Sequence, residues 1–192
     1  MRRLVAGFAL AALTVSGLGA PAAAATPSLN IVQKLVAMNR ETGDFDVLLI
    51  LVVCPRTQLA IVDALNGPET RTLFAPTDAA FAGAGIDNPL EAARTCATID
   101  PEALAYLLAY HATDGAVRYR DAQRAVGTFL QMLNGEAAEI TGTRSRPLIE
   151  GAAIVRKDIK ASNGLIHVVS SVLIPTCFPV GSPDGLDDTA DC

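Results

Sequence analysis

Residues 72–81 (TLFAPTDAAF) combine a strand, a proline stop and a helix start in one short segment. The apolar run ends at Pro76, because proline lacks a backbone donor and pushes the preceding residue toward extended geometry. Thr77 then suits a helix N-cap, and Asp78 lies in the first turn, where the helix dipole favours an anion. The segment therefore predicts a strand that leads directly into a capped helix.

A second informative segment is residues 163–175 (NGLIHVVSSVLIP). Its Asn163-Gly164 pair favours a turn, since both residue types tolerate a positive φ. Residues 165–169 are almost all apolar and β-branched, which predicts a strand buried on both faces. Pro175 is the expected end of the folded unit.

Between and before these segments, the apolar periodicity predicts helices early in the chain and strands late. Helices are predicted over residues 31–43, 45–53 and 57–65, and after Pro101, which suits a helix N1 position. A polar loop is predicted around residues 83–89. Strands are predicted over residues 111–113, 116–117, 127–133, 137–141, 147–149 and 153–156, with turns at Asp114-Gly115 and Asn134-Gly135 and a short helix near 120–124. This order predicts an α+β fold with N-terminal helices followed mostly by strands.

Three segments resemble three motifs of the fasciclin (FAS1) domain family, in the family's order: residues 72–81, 107–111 (LLAYH) and 163–175. The resemblance covers roughly residues 28–175. It implies a β-sandwich or wedge with helices packed along it, as one domain over residues 26–176.

The first 25 residues have the parts of a secretory signal peptide. Arg2 and Arg3 form the charged region, residues 4–18 the apolar region, and residues 23–25 (AAA) a cleavage site. A second apolar run, residues 47–53, is too short to span a bilayer and predicts a core helix. We therefore expect a secreted or periplasmic protein without stable membrane insertion after cleavage.

The charge of the chain argues against a nucleic-acid partner. Without Arg2 and Arg3 the chain has 13 basic and 20 acidic residues, a formal net charge of −7, and no run of Lys or Arg. Residues 177–192 are rich in Asp but lack the EF-hand calcium spacing, so a solvated acidic tail is expected there.

Four cysteines, an even number in an exported chain, favour two disulfides over a metal site, because no Cys-x-x-Cys spacing occurs. The four are Cys54, Cys96, Cys177 and Cys192. Three pairings are open from the sequence. Some members of the family that the chain resembles carry a cysteine pair at the positions of Cys54 and Cys96. The resemblance therefore implies a Cys54–Cys96 bridge, and Cys177–Cys192 would then tether the tail.

Catalytic chemistry has little support in the sequence. Histidine is scarce, and both His111 and His167 lie in apolar surroundings, where a buried structural role is commoner than a catalytic one. No nucleophile elbow, zinc-protease motif or Walker loop occurs. We expect no catalytic residues, no metal and no cofactor. The remaining enzyme hypothesis requires His111 and Asp158 to meet in a cleft.

The fasciclin resemblance implies an adhesion function instead. In animal members of the family, a Tyr-His and an Asp-Ile segment are implicated in partner contact, which correspond to Tyr110, His111, Asp158 and Ile159. Tyr110 and Asp158 have an alternative interpretation as residues that maintain the fold.

The preferred hypothesis is therefore an exported, non-enzymatic module that binds a cell-surface or matrix protein or a polysaccharide, with self-association to supply avidity. The alternative is a binder of a small apolar ligand or a glycan, in a cleft near Tyr106, Tyr110 and Phe129.

Overall fold

The computed structural model of the protein describes residues 28–55 and 58–177. Its seven helices are α1 (Ile31–Thr42), α2 (Asp46–Val52), α3 (Gln58–Asn66), α4 (Asp78–Ala82), α5 (Pro89–Thr98), α6 (Pro101–Ala109) and α7 (Tyr119–Arg124). Its seven strands are β1 (Arg71–Pro76), β2 (Ala112–Asp114), β3 (Phe129–Gln131), β4 (Ala137–Thr143), β5 (Arg146–Ile149), β6 (Ala152–Ala161) and β7 (Gly164–Val169). The predicted α+β class, with helices first and strands later, is confirmed.

Local signals start and stop the helices where the sequence predicts. The Thr77 side chain accepts a hydrogen bond from the backbone N–H of Ala80 and caps α4. The Asp100 carboxylate does the same for Ala103 in α6, whose first residue is a proline. At the other end of α1, Gly43 adopts a left-handed φ of 70° that ends the helix.

The strands form one mixed sheet in the order β2-β1-β7-β6-β5-β4-β3. The central pair, β1 and β7, is parallel, with Leu73 opposite Ile166, and every other pair is antiparallel. The two predicted key segments are therefore hydrogen-bonded neighbours at the centre of the sheet.

Both faces of the β1–β7 pair are buried, as predicted for residues 165–169. Leu73 and Ile166 belong to a core shared with helices α1, α2, α3 and α6. Phe74 and Val169 belong to a second core that includes Ile140 of β4, Ile149 of β5 and Tyr110. Because β4 and β5 share a core with β1, the far end of the sheet curls over the central strands, which gives the predicted wedge.

The Asn163-Gly164 pair does start the last strand, but Asn163 acts through its side chain. The turn between β6 and β7 occupies Ser162 and Asn163, and Gly164 already pairs with Ala161. The Asn163 side-chain amide donates to the carbonyls of Leu65 and Gly67, and its oxygen accepts from the N–H of Ile31. One buried amide thus joins the start of α1 and the end of α3 to the sheet.

One predicted strand is wrong, and one helix is not predicted. The strand predicted over residues 111–113 corresponds to β2, which pairs with β1, but residues 116–117 form no strand. The Thr72 hydroxyl donates to the carbonyl of Gly115 and accepts from the N–H of Val117, so residues 115–117 are tied to β1. The polar loop predicted around residues 83–89 is present up to Asn88, where it leads into the unpredicted helix α5, with Asn88 as the N-cap and Pro89 at N1.

The Cys54–Cys96 disulfide is confirmed and joins the residues just after α2 to α5. Cys177 is also disulfide-bonded. Its predicted partner, Cys192, lies outside the described residues, as do the predicted signal peptide and almost all of the acidic tail. Within residues 28–55 and 58–177, no helix combines the length and apolarity needed to cross a bilayer.

Candidate functional site

His111 follows α6 and is buried, with 2% of its surface exposed. Its Nε2 accepts a hydrogen bond from the backbone N–H of Leu173 at 2.9 Å, so the ring proton lies on Nδ1 and is donated to the Leu107 carbonyl at 2.8 Å. Burial lowers the pKa of His111 from 6.5 to about 4, against the opposing effect of the Leu107 carbonyl. A neutral imidazole with both nitrogens bonded to backbone is not available as a general base.

His167 lies on β7 and has the same character. Its Nε2 donates to the Val117 carbonyl at 2.8 Å, and its Nδ1 accepts from the backbone N–H of Asp158 at 3.3 Å. The ring stacks on Phe74, with centroids 5.6 Å apart. Burial lowers the pKa of His167, although the Val117 carbonyl and the Asp158 carboxylate act in the opposite direction. Both histidines therefore hold backbone segments together.

Tyr110 precedes His111 and is buried as well, at 1% exposure, in the second core. Its burial and the nearby carboxylate of Glu150 raise the pKa of the Tyr110 phenol well above its usual value. Neither side chain of the predicted Tyr-His contact pair reaches the surface.

Asp158 and Ile159 lie elsewhere, in an irregular part of β6 where the register to β7 shifts twice. Asp158 is exposed, has a φ of 55°, and accepts the backbone N–H of Tyr119 at 2.9 Å. Ile159 is partly buried and pairs with Ile166. Asp158 thus neighbours His167 and Tyr119, whereas His111 is bonded to Leu107 and Leu173. The His111–Asp158 pair that the enzyme hypothesis needs therefore does not form.

Tyr119, at the start of α7, connects three segments, a role that no local sequence pattern predicts. Its hydroxyl donates to the carbonyl of Ser145, between β4 and β5, at 3.3 Å. The ammonium group of Lys157 lies over its ring, 4.1 Å from the centroid. With the Asp158 contact, Tyr119 joins α7, the β4–β5 turn and the bulged part of β6.

Glu136 is a second connecting residue that sequence reasoning missed. Its carboxylate accepts the hydroxyl of Tyr106 at 2.6 Å and the backbone N–H groups of Thr176 and Cys177 at 3.0 and 3.3 Å. The bond to Glu136 raises the pKa of Tyr106 to about 12. Glu136 and His111 together fix the chain after β7.

Two cavities lie near α3 and α6. An enclosed apolar space of about 10 Å³ beside His111 is roughly the size of one water molecule. An open groove of about 230 Å³ is lined by Ile61, Ala64, Arg71, Ala105, Ala109 and Leu133. The predicted cleft residues do not line it, since Tyr110 is buried and Phe129 is 69% exposed on β3. In the described part of the chain, no three His, Cys, Asp or Glu side chains are grouped closely enough to hold a metal ion.

Comparison with known proteins agrees with this architecture. The chain is 30% identical over 118 residues to protein sll1483 of Synechocystis sp., a match that covers 60% of this chain and 61% of that protein. It is 29% identical over 125 residues to human periostin, covering 65% of this chain and 14% of periostin. The chain therefore spans only part of the length of these relatives.

The fold has a solved counterpart in a FAS1 domain pair from the insect cell adhesion molecule fasciclin I. That structure aligns with a TM-score of 0.60 over 78% of this chain and 52% of its own length, at 17% identity, which confirms the FAS1 fold. The fasciclin domain model matches residues 53–175, from the end of α2 to just beyond β7. The chain belongs to the fasciclin domain family.

Proposed function

We propose that the protein is an extracellular adhesion module without catalytic activity, which binds a component of a cell surface, matrix or envelope. The observation that carries the proposal is the state of its two histidines. His111 and His167 are the strongest candidates for chemistry, yet each is buried and bonded to backbone through both ring nitrogens. Family membership and the structural match to an insect cell adhesion molecule support the same function.

The contact surface is proposed to lie on the exposed side of the sheet near Asp158 and Ile159. Tyr110 and His111 are buried, so their part in binding is indirect and consists of holding the shape of the domain. Secretion or a periplasmic location is proposed from the leader, and self-association would add avidity to a single weak site.

Binding of the exported protein to whole cells of its source organism tests this function. Saturable binding that unlabelled protein competes away is the expected result. The His111→Gln variant, assayed below its melting temperature, is expected to bind as the wild type does. Linear, non-competable uptake at every concentration would contradict adhesion.

A second candidate function is supported by the open groove between α3, α6 and β1. Its lining is apolar apart from Arg71, but its volume of about 230 Å³ is below the usual range for ligand sites. Mass spectrometry of the protein purified under native conditions tests this candidate. A bound small apolar molecule that is displaced by Ala105→Phe, a residue of the groove, would favour the ligand-binding function.

A further inference from the structure

We propose that the surface around Tyr119 is a binding site for an acidic polysaccharide. The inference rests on the proposed adhesion function and names the chemical class of its partner. The site consists of six exposed basic residues, here called the Tyr119 basic cluster: Arg118, Arg120, Arg144, Arg146, Arg156 and Lys157.

The contacts of Tyr119 bring these residues together from three parts of the chain. Arg118 and Arg120 are its neighbours in sequence, at the N-cap and in the first turn of α7. Arg144 and Arg146 flank Ser145, whose carbonyl accepts the Tyr119 hydroxyl. Lys157 covers the ring, and Arg156 precedes it on β6. Three backbone segments far apart in sequence therefore meet at Tyr119, and each carries exposed cations at or next to a residue that contacts it.

The positive charge of the cluster is largely uncompensated. None of the six side chains forms an ion pair with any residue that the structure describes; the nearby pair joins Arg124 to Asp121. Two carboxylates beside the cluster, Asp121 and Asp158, accept the backbone N–H groups of Arg118 and Tyr119. Six exposed cations thus face solvent beside two carboxylates that are already hydrogen-bonded.

The rest of the chain has the opposite charge. The whole sequence has a formal net charge of −5, so the cluster is a local exception on an acidic molecule. Like-charge repulsion disfavours the approach of a broad anionic surface, such as a membrane, to most of this protein. A narrow, linear polyanion can occupy the cluster without approaching the acidic remainder.

The side chains also fit sugar-borne acids. Five of the six are arginines, and the planar guanidinium pairs with carboxylate-type oxygens through two parallel hydrogen bonds. The bases of a single-stranded nucleic acid would need an open aromatic face for stacking, but the Lys157 ammonium group occupies one face of the Tyr119 ring. An acidic polysaccharide needs only the cations, which are exposed.

The test compares two double variants that each remove two exposed arginines. Arg144→Gln/Arg146→Gln removes them from the cluster, and Arg40→Gln/Arg94→Gln removes them from helices α1 and α5 as a matched control. The exported protein is titrated onto immobilised polygalacturonate and dextran sulfate, with neutral dextran as the uncharged counterpart. Phosphatidylglycerol vesicles and duplex DNA represent other polyanion classes, and circular dichroism checks that each variant is folded.

We expect binding to at least one acidic polysaccharide and none to dextran, with affinity that falls steeply as salt rises. The cluster variant should bind about tenfold more weakly, and the control should match the wild type. Equal losses in both variants, equal affinity for vesicles or DNA, or no binding to either acidic polysaccharide would overturn the proposal. If whole-cell binding persists in that last case, only the polysaccharide assignment fails; if whole-cell binding is also absent, the adhesion function fails.

Discussion

The Nε2 atom of His111 accepts the backbone N–H of Leu173 across 62 positions of sequence, at 2.9 Å. This bond ties the end of α6 to the chain that leaves the central strand β7. It shows how His111 can stabilise the domain although its side chain is buried.

Replacing His111 with Ala should therefore destabilise the fold strongly. The change leaves the Leu173 N–H and the Leu107 carbonyl without their partner and enlarges the adjacent cavity. We expect a loss of about 3–5 kcal/mol in the free energy of unfolding, measured by urea denaturation. Arg94→Gln, an exposed change on α5, should stay within about 0.5 kcal/mol of the wild type. If His111→Ala lost no more free energy of unfolding than this control, the structural role of His111 would be refuted.

Stability should fall in mild acid because of the buried histidines. The pKa of His111 is about 4 in the folded protein and 6.5 for an ordinary histidine, so between these values the unfolded chain binds more protons. His111 therefore contributes about 3 kcal/mol to the free energy of unfolding above pH 6.5. This contribution declines as the pH drops toward 4. His167, whose pKa burial also lowers, adds to the loss. Urea unfolding across this pH range should give a free energy of unfolding that depends less on pH in His111→Gln than in the wild type. An identical pH dependence in the two proteins would contradict the assignment of the effect to His111.

Gly164 should tolerate no side chain. A Cβ at this position would lie 1.8 Å from the carbonyl oxygen of Arg71, which is inside the parallel β1–β7 pairing. Gly164→Ala is expected to cost about 4 kcal/mol or to prevent folding, as judged by circular dichroism and thermal melting. Gly43→Ala is the matched control: its φ is also positive but its Cβ would meet open space, so we expect about 1 kcal/mol. Comparable melting temperatures for the two variants would show that the strands can separate there.

The Cys54–Cys96 bridge should contribute substantially to stability. It closes a loop with a sequence separation of 42, which restricts the unfolded chain. The Cys54→Ser/Cys96→Ser variant should lose about 4 kcal/mol in urea unfolding under oxidising conditions. Adding reductant to that variant breaks the disulfide of Cys177, and the further shift in the urea midpoint measures the contribution of that disulfide to stability. An unchanged urea midpoint in the double variant would mean that the loop is already ordered without the bridge.

Much of the fold could be predicted because its signals are local. Thr77 and Asp100 cap the helices that follow them, and proline marks the first turn of α6, whatever the distant chain does. The apolar, β-branched run of β7 likewise predicts burial on both faces. Helix α5 carried equally local signals in Asn88 and Pro89, so its omission was avoidable.

The errors arose where distant residues decide local structure. The sequence predicts a strand after the Asp114-Gly115 turn, but the Thr72 hydroxyl bonds to the backbone of residues 115 and 117 instead. The apolar surroundings of His111 correctly favour its burial, but the exposure of Tyr110 could not be judged, since it depends on the sheet curling over β1. A motif can identify a fold without showing which of its side chains reach solvent.

The basic cluster was also invisible in sequence, although every one of its residues is printed there. No run of Lys or Arg occurs, and the chain as a whole is acidic, which argues against a nucleic-acid partner. Only the contacts of Tyr119 with Ser145, Lys157 and Asp158 join the three segments. Local surface charge therefore differs in sign from the charge of the whole chain.

Titration of the labelled, exported protein onto whole cells of its source organism tests the adhesion function most directly. We expect saturable, competable binding with a Kd of about micromolar or tighter, unchanged by His111→Gln in the folded state. Uptake that never saturates, or that excess unlabelled protein does not reduce, would contradict the adhesion function.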